Sequence, residues 1–273
     1  MSAAPKTRSQ KLPVPGGRIF TPTEELPDPA VTYTISARNK PPTDPIMAYL
    51  RKNYGNIPLR EIDSVFGFVE RSPLYGGRAF LQRELSRGDV RQLNITGIGL
   101  RIPMSNHFAS REEYERDKPL LARYHRELNS VIVTNDDLAM WIRQDFPKYR
   151  LDASVIKNLK SHKKIEGALE LYDSVVLPMR LNEDLDFLEK IERKDRITLF
   201  ANAGCALTCP SKLCYKSISR INKGGGDSKF LCSQPLKNRD LYGMVDFPLQ
   251  PYIDLGFHKF KLLRPRAGGM TGF

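Results

Sequence analysis

From about residue 62 onward, short β-rich runs alternate with amphipathic stretches, and this alternation restricts the fold more than any other feature. Ser64–Val69, Leu93–Leu100, Ser130–Thr134, Arg150–Ser154, Ser174–Pro178, Arg196–Asn202, Gly243–Phe247 and Lys259–Leu263 read as strands. Between them Arg78–Arg87, Glu112–Leu128, Asp136–Asp145, Lys163–Tyr172 and Glu183–Arg193 read as helices. Two of these carry start signals: Asn135 before Asp136-Asp137, and Asn182 before Glu183-Asp184. Strand and helix in repeated succession predict an α/β fold, a TIM-type (β/α)8 barrel with irregularities. An open doubly wound sheet is the competing arrangement. No G-x-G-x-x-G follows the first of these strands, and no P-loop is present. The last strand ends close to the C-terminus, leaving no helix after it. The stretch Ile46–Tyr54, with Thr43 and Asp44 to cap it and Pro45 in its first turn, is expected to cover that side instead. Val31–Ser36 is expected to be an edge strand.

A chain of 273 residues suffices for one barrel-sized domain with a large core. Residues 1–30, rich in Pro, Lys and Thr, read as a flexible basic tail. Residues 31–273 read as a single barrel domain, with a cysteine-rich insertion at about 203–240. No apolar run approaches the length of a membrane span, so no membrane association is expected. The N-terminal Met-Ser-Ala-Ala-Pro-Lys-Thr-Arg lacks the apolar core of a signal peptide, which gives a cytoplasmic expectation. The net charge of +12 suggests a polyanionic partner such as RNA or DNA, against the plainer reading of a merely basic surface.

All four cysteines fall in under thirty residues: Cys205, Cys209, Cys214 and Cys232. Four thiols so grouped can form disulfides, a zinc site or an iron–sulfur cluster. Disulfides need an oxidising compartment. Structural zinc favours paired C-x2-C knuckles, whereas the intervals here are three, four and seventeen residues. Iron–sulfur clusters accept looser spacing, often with a proline beside a ligand, as in Cys209-Pro210. A [4Fe–4S] cluster is therefore favoured, with zinc as the alternative. The cysteines begin directly after the buried run Arg196–Asn202. In barrels of this type chemistry sits at the C-terminal strand ends.

Other polar residues fall at strand ends too: Asn106, Asn135, Ser154, Arg180, Asn182, Asn202 and Arg264. Asn106, Asn135, Arg180, Asn202 and Arg264 are the candidates for substrate binding. For the asparagines a helix N-cap is the competing role. Arg180 and Arg264 at one barrel mouth would form a phosphate or carboxylate site. Pairing with a nearby acid such as Asp184 or Asp254 is the competing role for both. His107, His125, His162 and His258 show no metal-ligand spacing, and Trp141 reads as core. Tyr75-Gly76-Gly77-Arg78 reads as a tight turn, with an anion cradle as the alternative. No Ser/His/Asp order and no HExxH motif is present, which removes the usual hydrolase signatures.

Several segments together resemble the collagenase-like peptidase family U-thirty-two, in particular an uncharacterised bacterial branch. They are Ser105-Asn106; Asn129 to Asn135 with Ile142-Arg143 and Phe146-Pro147; Ala153-Ser154-Val155; Tyr172 to Pro178; Leu188 to Ile191; Asn202-Ala203-Gly204-Cys205 with Cys209-Pro210; and Gly256 to Lys261. The resemblance covers roughly residues 60–265. It implies a TIM-type barrel and an oxygen-sensitive [4Fe–4S] cluster on Cys205, Cys209, Cys214 and Cys232. It implies a redox enzyme in oxygen-independent hydroxylation, or a related modification, of RNA or a small anionic substrate. A protein partner of the same family is a further implication, since similar iron–sulfur barrels work in pairs. The charge and the missing catalytic groups leave a second expectation, a binding or assembly protein with a structural metal; a peptidase is a third.

Overall fold

The computed structural model describes residues 30–209, 211–224, 229–234 and 245–265. Eight parallel strands close into a barrel in chain order: β1 (Thr32–Ser36), β2 (Ile62–Phe66), β3 (Gly99–Ile102), β4 (Ser130–Val133), β5 (Arg150–Ala153), β6 (Ser174–Val176), β7 (Ile197–Phe200) and β8 (Lys259–Leu262). The ring is sealed by β8 against β1, with Thr32 opposite Lys259 and Ile35 opposite Leu262. The helices are α1 (Ile46–Tyr54), α2 (Arg87–Ile95), α3 (Arg111–Tyr124), α4 (Asp136–Asp145), α5 (His162–Leu169), α6 (Leu185–Glu189), α7 (Leu213–Asn222) and α8 (Gln250–Asp254). This is the expected (β/α)8 architecture.

Several expectations about individual elements are corrected. Val31–Ser36 contains a full barrel strand, paired on both sides, and not an edge. It takes the place given to Gly243–Phe247. The described part of that run makes one antiparallel bridge, Asp246 with Asn202, and joins no strand. The helix expected at Arg78–Arg87 starts where that run ends. Ser86 accepts from the Asp89 backbone N–H while Asp89 accepts from the Ser86 backbone N–H, and this capping box fixes the start at Arg87. Gly97, at φ 79°, then turns the chain so that the strand opens at Gly99, not at Leu93. It follows that α1 belongs to the first β–α unit. It packs on α2, where Asp89 takes the Ile46 N–H and the buried Lys40. The run Glu183–Arg193 is helical only in part, as a 3-10 turn over Met179–Glu183 and the short α6, which Asp184 caps. The predicted tail, residues 1–29 of it, lies outside the described residues.

Side chains alternate between two environments, as strand pleating requires. Ile35, Leu151, Val175, Leu199 and Phe260 belong to the apolar core packed by the helices. The other set points into the barrel and is largely polar. Thr32, Thr34, Arg101, Arg150, Asp152, Ser174, Thr198 and Lys259 line a small cavity of about 40 Å³ toward the strand starts. Arg101 pairs there with Asp63 at 3.0 Å and with Asp152 at 3.2 Å, and Arg150 pairs with Asp63 at 3.2 Å. The opposite set of strand ends opens into a larger cavity.

Candidate functional site

At the C-terminal strand ends lies a cavity of about 150 Å³. Its strand-derived wall carries Ser36, Phe66, Ile132, Phe200 and Lys261. The turn after β2 adds Gly76, Gly77 and Arg78. That turn leans on the loop after β3: a Cβ on Gly76 would stand 2.2 Å from the Ser105 carbonyl oxygen, so only glycine fits. Arg78 is locked to Glu84 by a two-pronged pair at 2.5 and 2.7 Å.

The remaining wall comes from the segment after β7. Cys205, Cys209, Cys214 and Cys232 all line this one cavity. The sequence brings them there in three steps. Cys205 and Cys209 lie in the turns that follow β7. Lys212 adopts a left-handed conformation, φ 52°, which swings the chain into α7 and puts Cys214 in its first turn. Ser217 on α7 then accepts the Leu231 N–H at 3.2 Å, and this anchors the segment bearing Cys232.

Backbone and side-chain donors surround two of the sulfurs. The Lys212 N–H donates to Cys209 Sγ at 3.3 Å, and the Gln234 N–H donates to Cys232 Sγ at 3.4 Å. Ser233 Oγ lies 3.2 Å from Cys209 Sγ. Burial pushes the Cys209 thiol up, but the Ser233 hydroxyl, the backbone N–H groups of Lys212 and Ser211 and the Lys212 charge hold it below the ordinary thiol value. Tyr215 is pushed well above the ordinary phenol value, by burial first and then by Cys214, Cys205 and Cys209. Among the described residues no three His, Cys, Asp or Glu side chains converge closely enough to hold a single metal ion. The thiols face a shared space instead. Four thiolates are a donor set that could hold an iron–sulfur cluster or a zinc ion.

Beside this cavity a second depression, of about 300 Å³, runs across the rim. The two share Ile156, Cys209, Lys212 and Tyr215. The depression is basic, with Lys160, Arg180, Lys212, Lys216 and His107 on its wall. Burial lowers Lys212 below its ordinary value, helped by Lys160 and Arg180 and opposed by Cys209 and Cys214.

Among the substrate-binding candidates, Arg180 alone lines this rim depression. Arg264 lines neither hollow; it is 1% exposed and donates to Asp246 Oδ1 at 2.7 Å. The two arginines therefore do not form one clamp here. Asn202 donates to the Arg264 carbonyl at 3.0 Å and accepts the Leu263 N–H at 2.8 Å, lacing β7 to the end of β8. Asn135 accepts the Leu138 N–H as the N-cap of α4. Asn106 is fully buried and donates to three carbonyls, of Pro73, Tyr75 and Ser219. It braces α7 against two loops. His107 Nδ1 lies 3.3 Å from Ser219 Oγ, but that hydroxyl donates to the Tyr215 carbonyl and is buried in the brace. Lys261 and the rim lysines Lys160, Lys212 and Lys216 were not among the sequence candidates. The alternating K-F-K-L of β8, with a lysine at every inward position, is the signal that could have found Lys261.

No protein-family model and no curated protein matches the chain. A solved structure, that of the U32 peptidase Mk0906, superposes over 90% of this chain and 97% of its own, with a TM-score of 0.57 and 13% sequence identity. At that identity the likeness is one of fold: the chain has the barrel of a U32 peptidase, the family whose motifs its own segments resemble.

Proposed function

We propose that this is an iron–sulfur barrel protein whose cluster is held by Cys205, Cys209, Cys214 and Cys232. The observation that carries the reading is the convergence of all four cysteines on one cavity at the chemical end of the barrel. When bound, a [4Fe–4S] cluster would supply one-electron transfer to a substrate or its activation. The chain's own residues do the rest. The Lys212 and Gln234 N–H groups and the Ser233 hydroxyl stabilise charge on sulfur. Phe66, Ile132, Phe200 and Met179 restrict water on the cavity side. Lys160, Arg180, Lys212 and Lys216 attract an anion along the rim toward Cys209. The function that fits best is a redox enzyme modifying RNA or a small anionic molecule, oxygen-independent hydroxylation being the reaction the resemblance implies.

Electron paramagnetic resonance on protein purified and reduced under argon tests this reading. A cluster signal that disappears on exposure to air supports it. A silent spectrum together with one tightly bound zinc would move the protein to the structural-metal, binding or assembly class.

A further inference from the structure

Four basic residues are buried among the described residues: Lys40, Arg101, Lys261 and Arg264. Three of them pair with carboxylates, Lys40 with Asp89, Arg101 with Asp63 and Asp152, and Arg264 with Asp246. Lys261 does not. It is 6% exposed, and its Nζ makes no hydrogen bond or ion pair among the described residues. Among the described residues its Nζ lies over the Phe66 ring, 4.3 Å from the centroid. The residue stands on β8 on the inward face, and it lines the cavity at the barrel mouth.

An unpaired amine in such a place has a defined chemistry. Around Lys261 the cavity wall is apolar or neutral on β2, β4 and β7, through Phe66, Ile132 and Phe200. The charged groups acting on it are Arg101 from β3, Asp152 from β5 and Arg78 from the turn after β2. Arg38, Lys212, Tyr215 and the four thiols stand elsewhere on the same wall. Burial, then Arg101 and Arg78, lower the amine to about 7, against the pull of Asp152. Near neutral pH a large share of it is therefore unprotonated, with its lone pair available.

We propose that Lys261 is a covalent carbonyl-binding site, taking a small aldehyde or keto acid. The Nζ lone pair attacks the carbonyl carbon, and the carbonyl oxygen is protonated to give a carbinolamine. That oxygen then leaves as water with the second amine hydrogen, and a C=N bond joins Lys261 to the substrate. One amine and one carbonyl are consumed, one imine and one water are produced, and no oxidant or reductant takes part. The four thiols line the same cavity, so whatever they hold shares its space with the substrate.

The test uses the full chain, purified under argon with its own metal content, and glyoxylate as the probe. Glyoxylate and cyanoborohydride are added near neutral pH, and peptides are analysed by mass spectrometry. Lys261 should carry the reduced adduct, formed at least about tenfold faster than on surface lysines, which are almost wholly protonated there. The rate should saturate with glyoxylate and fall off below about pH 7. Lys261→Met and Lys261→Arg should both lose the fast phase, and the Met variant also serves if the Arg variant folds poorly. Labelling of Lys261 no faster than of surface lysines would overturn the proposal. So would a rate that never saturates, or a fast phase that survives both substitutions. Metal content measured on the same samples separates this outcome from the fate of the cluster.

Discussion

Lys261 and Arg264 sit three positions apart, and their burial has opposite consequences. Arg264 donates to Asp246 and its backbone carbonyl accepts from Asn202, so it ties the end of β8 to the segment beyond the cysteines. Lysine keeps the charge but not the planar fork. Arg264→Lys should therefore cost about 1–3 kcal/mol of stability, read as a melting point several degrees lower. Unchanged melting would remove the bracing role. For Lys261 the pH dependence carries the test. Its folded value, about 7, lies below the ordinary 10.5. Between these two values the unfolded chain binds a proton that the native protein does not, so this group makes stability rise with pH across that window. Below about pH 7 the full cost of charging a buried amine remains. Lys261→Met, which keeps the packed stem, should melt above the wild type near pH 7, and the gap should shrink as pH approaches 10. A gap independent of pH would show that the amine is not perturbed.

At the scale of the element, α7 decides the site. It carries Cys214, its Ser217 anchors the Cys232 segment, and its Ser219 carbonyl is held by Asn106. Asn106→Ala would take this donor from the Pro73 and Ser219 carbonyls, while Tyr75 keeps the donor of Asn222, at a cost of about 2–3 kcal/mol. Denaturant unfolding should show that loss. Metal retention should fall with it, because ligand geometry and local folding are coupled. Wild-type stability in this variant would mean that α7 is held from elsewhere. The sequence does not announce α7: Leu213–Asn222 follows a left-handed lysine, has no capping side chain, and lies in a stretch dominated by its cysteines. Where ordinary caps exist the elements were legible, as with Asn135 before α4, whose bounds match the expectation. The cysteine set was readable because four thiols in one short stretch have few explanations. Where Asn106, Asn202 and Arg264 point was not, because a polar residue at a strand end can face the mouth, a neighbouring loop or a backbone carbonyl. Only the packed chain decides among these.

At the scale of the whole molecule, the barrel divides its interior by polarity. The strand starts hold an ionic layer, and the strand ends hold the thiol-lined cavity. The layer is part of the frame. Burial raises the Asp63 carboxyl, but Arg101 and Arg150 outweigh it and hold the group below its ordinary 3.8. Asp63→Asn should cost about 1–3 kcal/mol near neutral pH. Because the folded value is the lower one, that difference is full above pH 3.8 and closes as pH falls through the folded value. Urea unfolding of both proteins at neutral and acidic pH reads it. A difference that persists unchanged into strong acid would place the effect outside the ion pairs. The other end of the barrel carries the central claim, that four cysteines act together on one cluster. The most direct measurement is iron and zinc content of the anaerobically purified wild type beside Cys205→Ala, Cys209→Ala, Cys214→Ala and Cys232→Ala. About four irons per chain in the wild type, lost together in every variant while the far-ultraviolet circular dichroism of the barrel persists, is the predicted result. Zinc in place of iron, or full iron in any one variant, would contradict it.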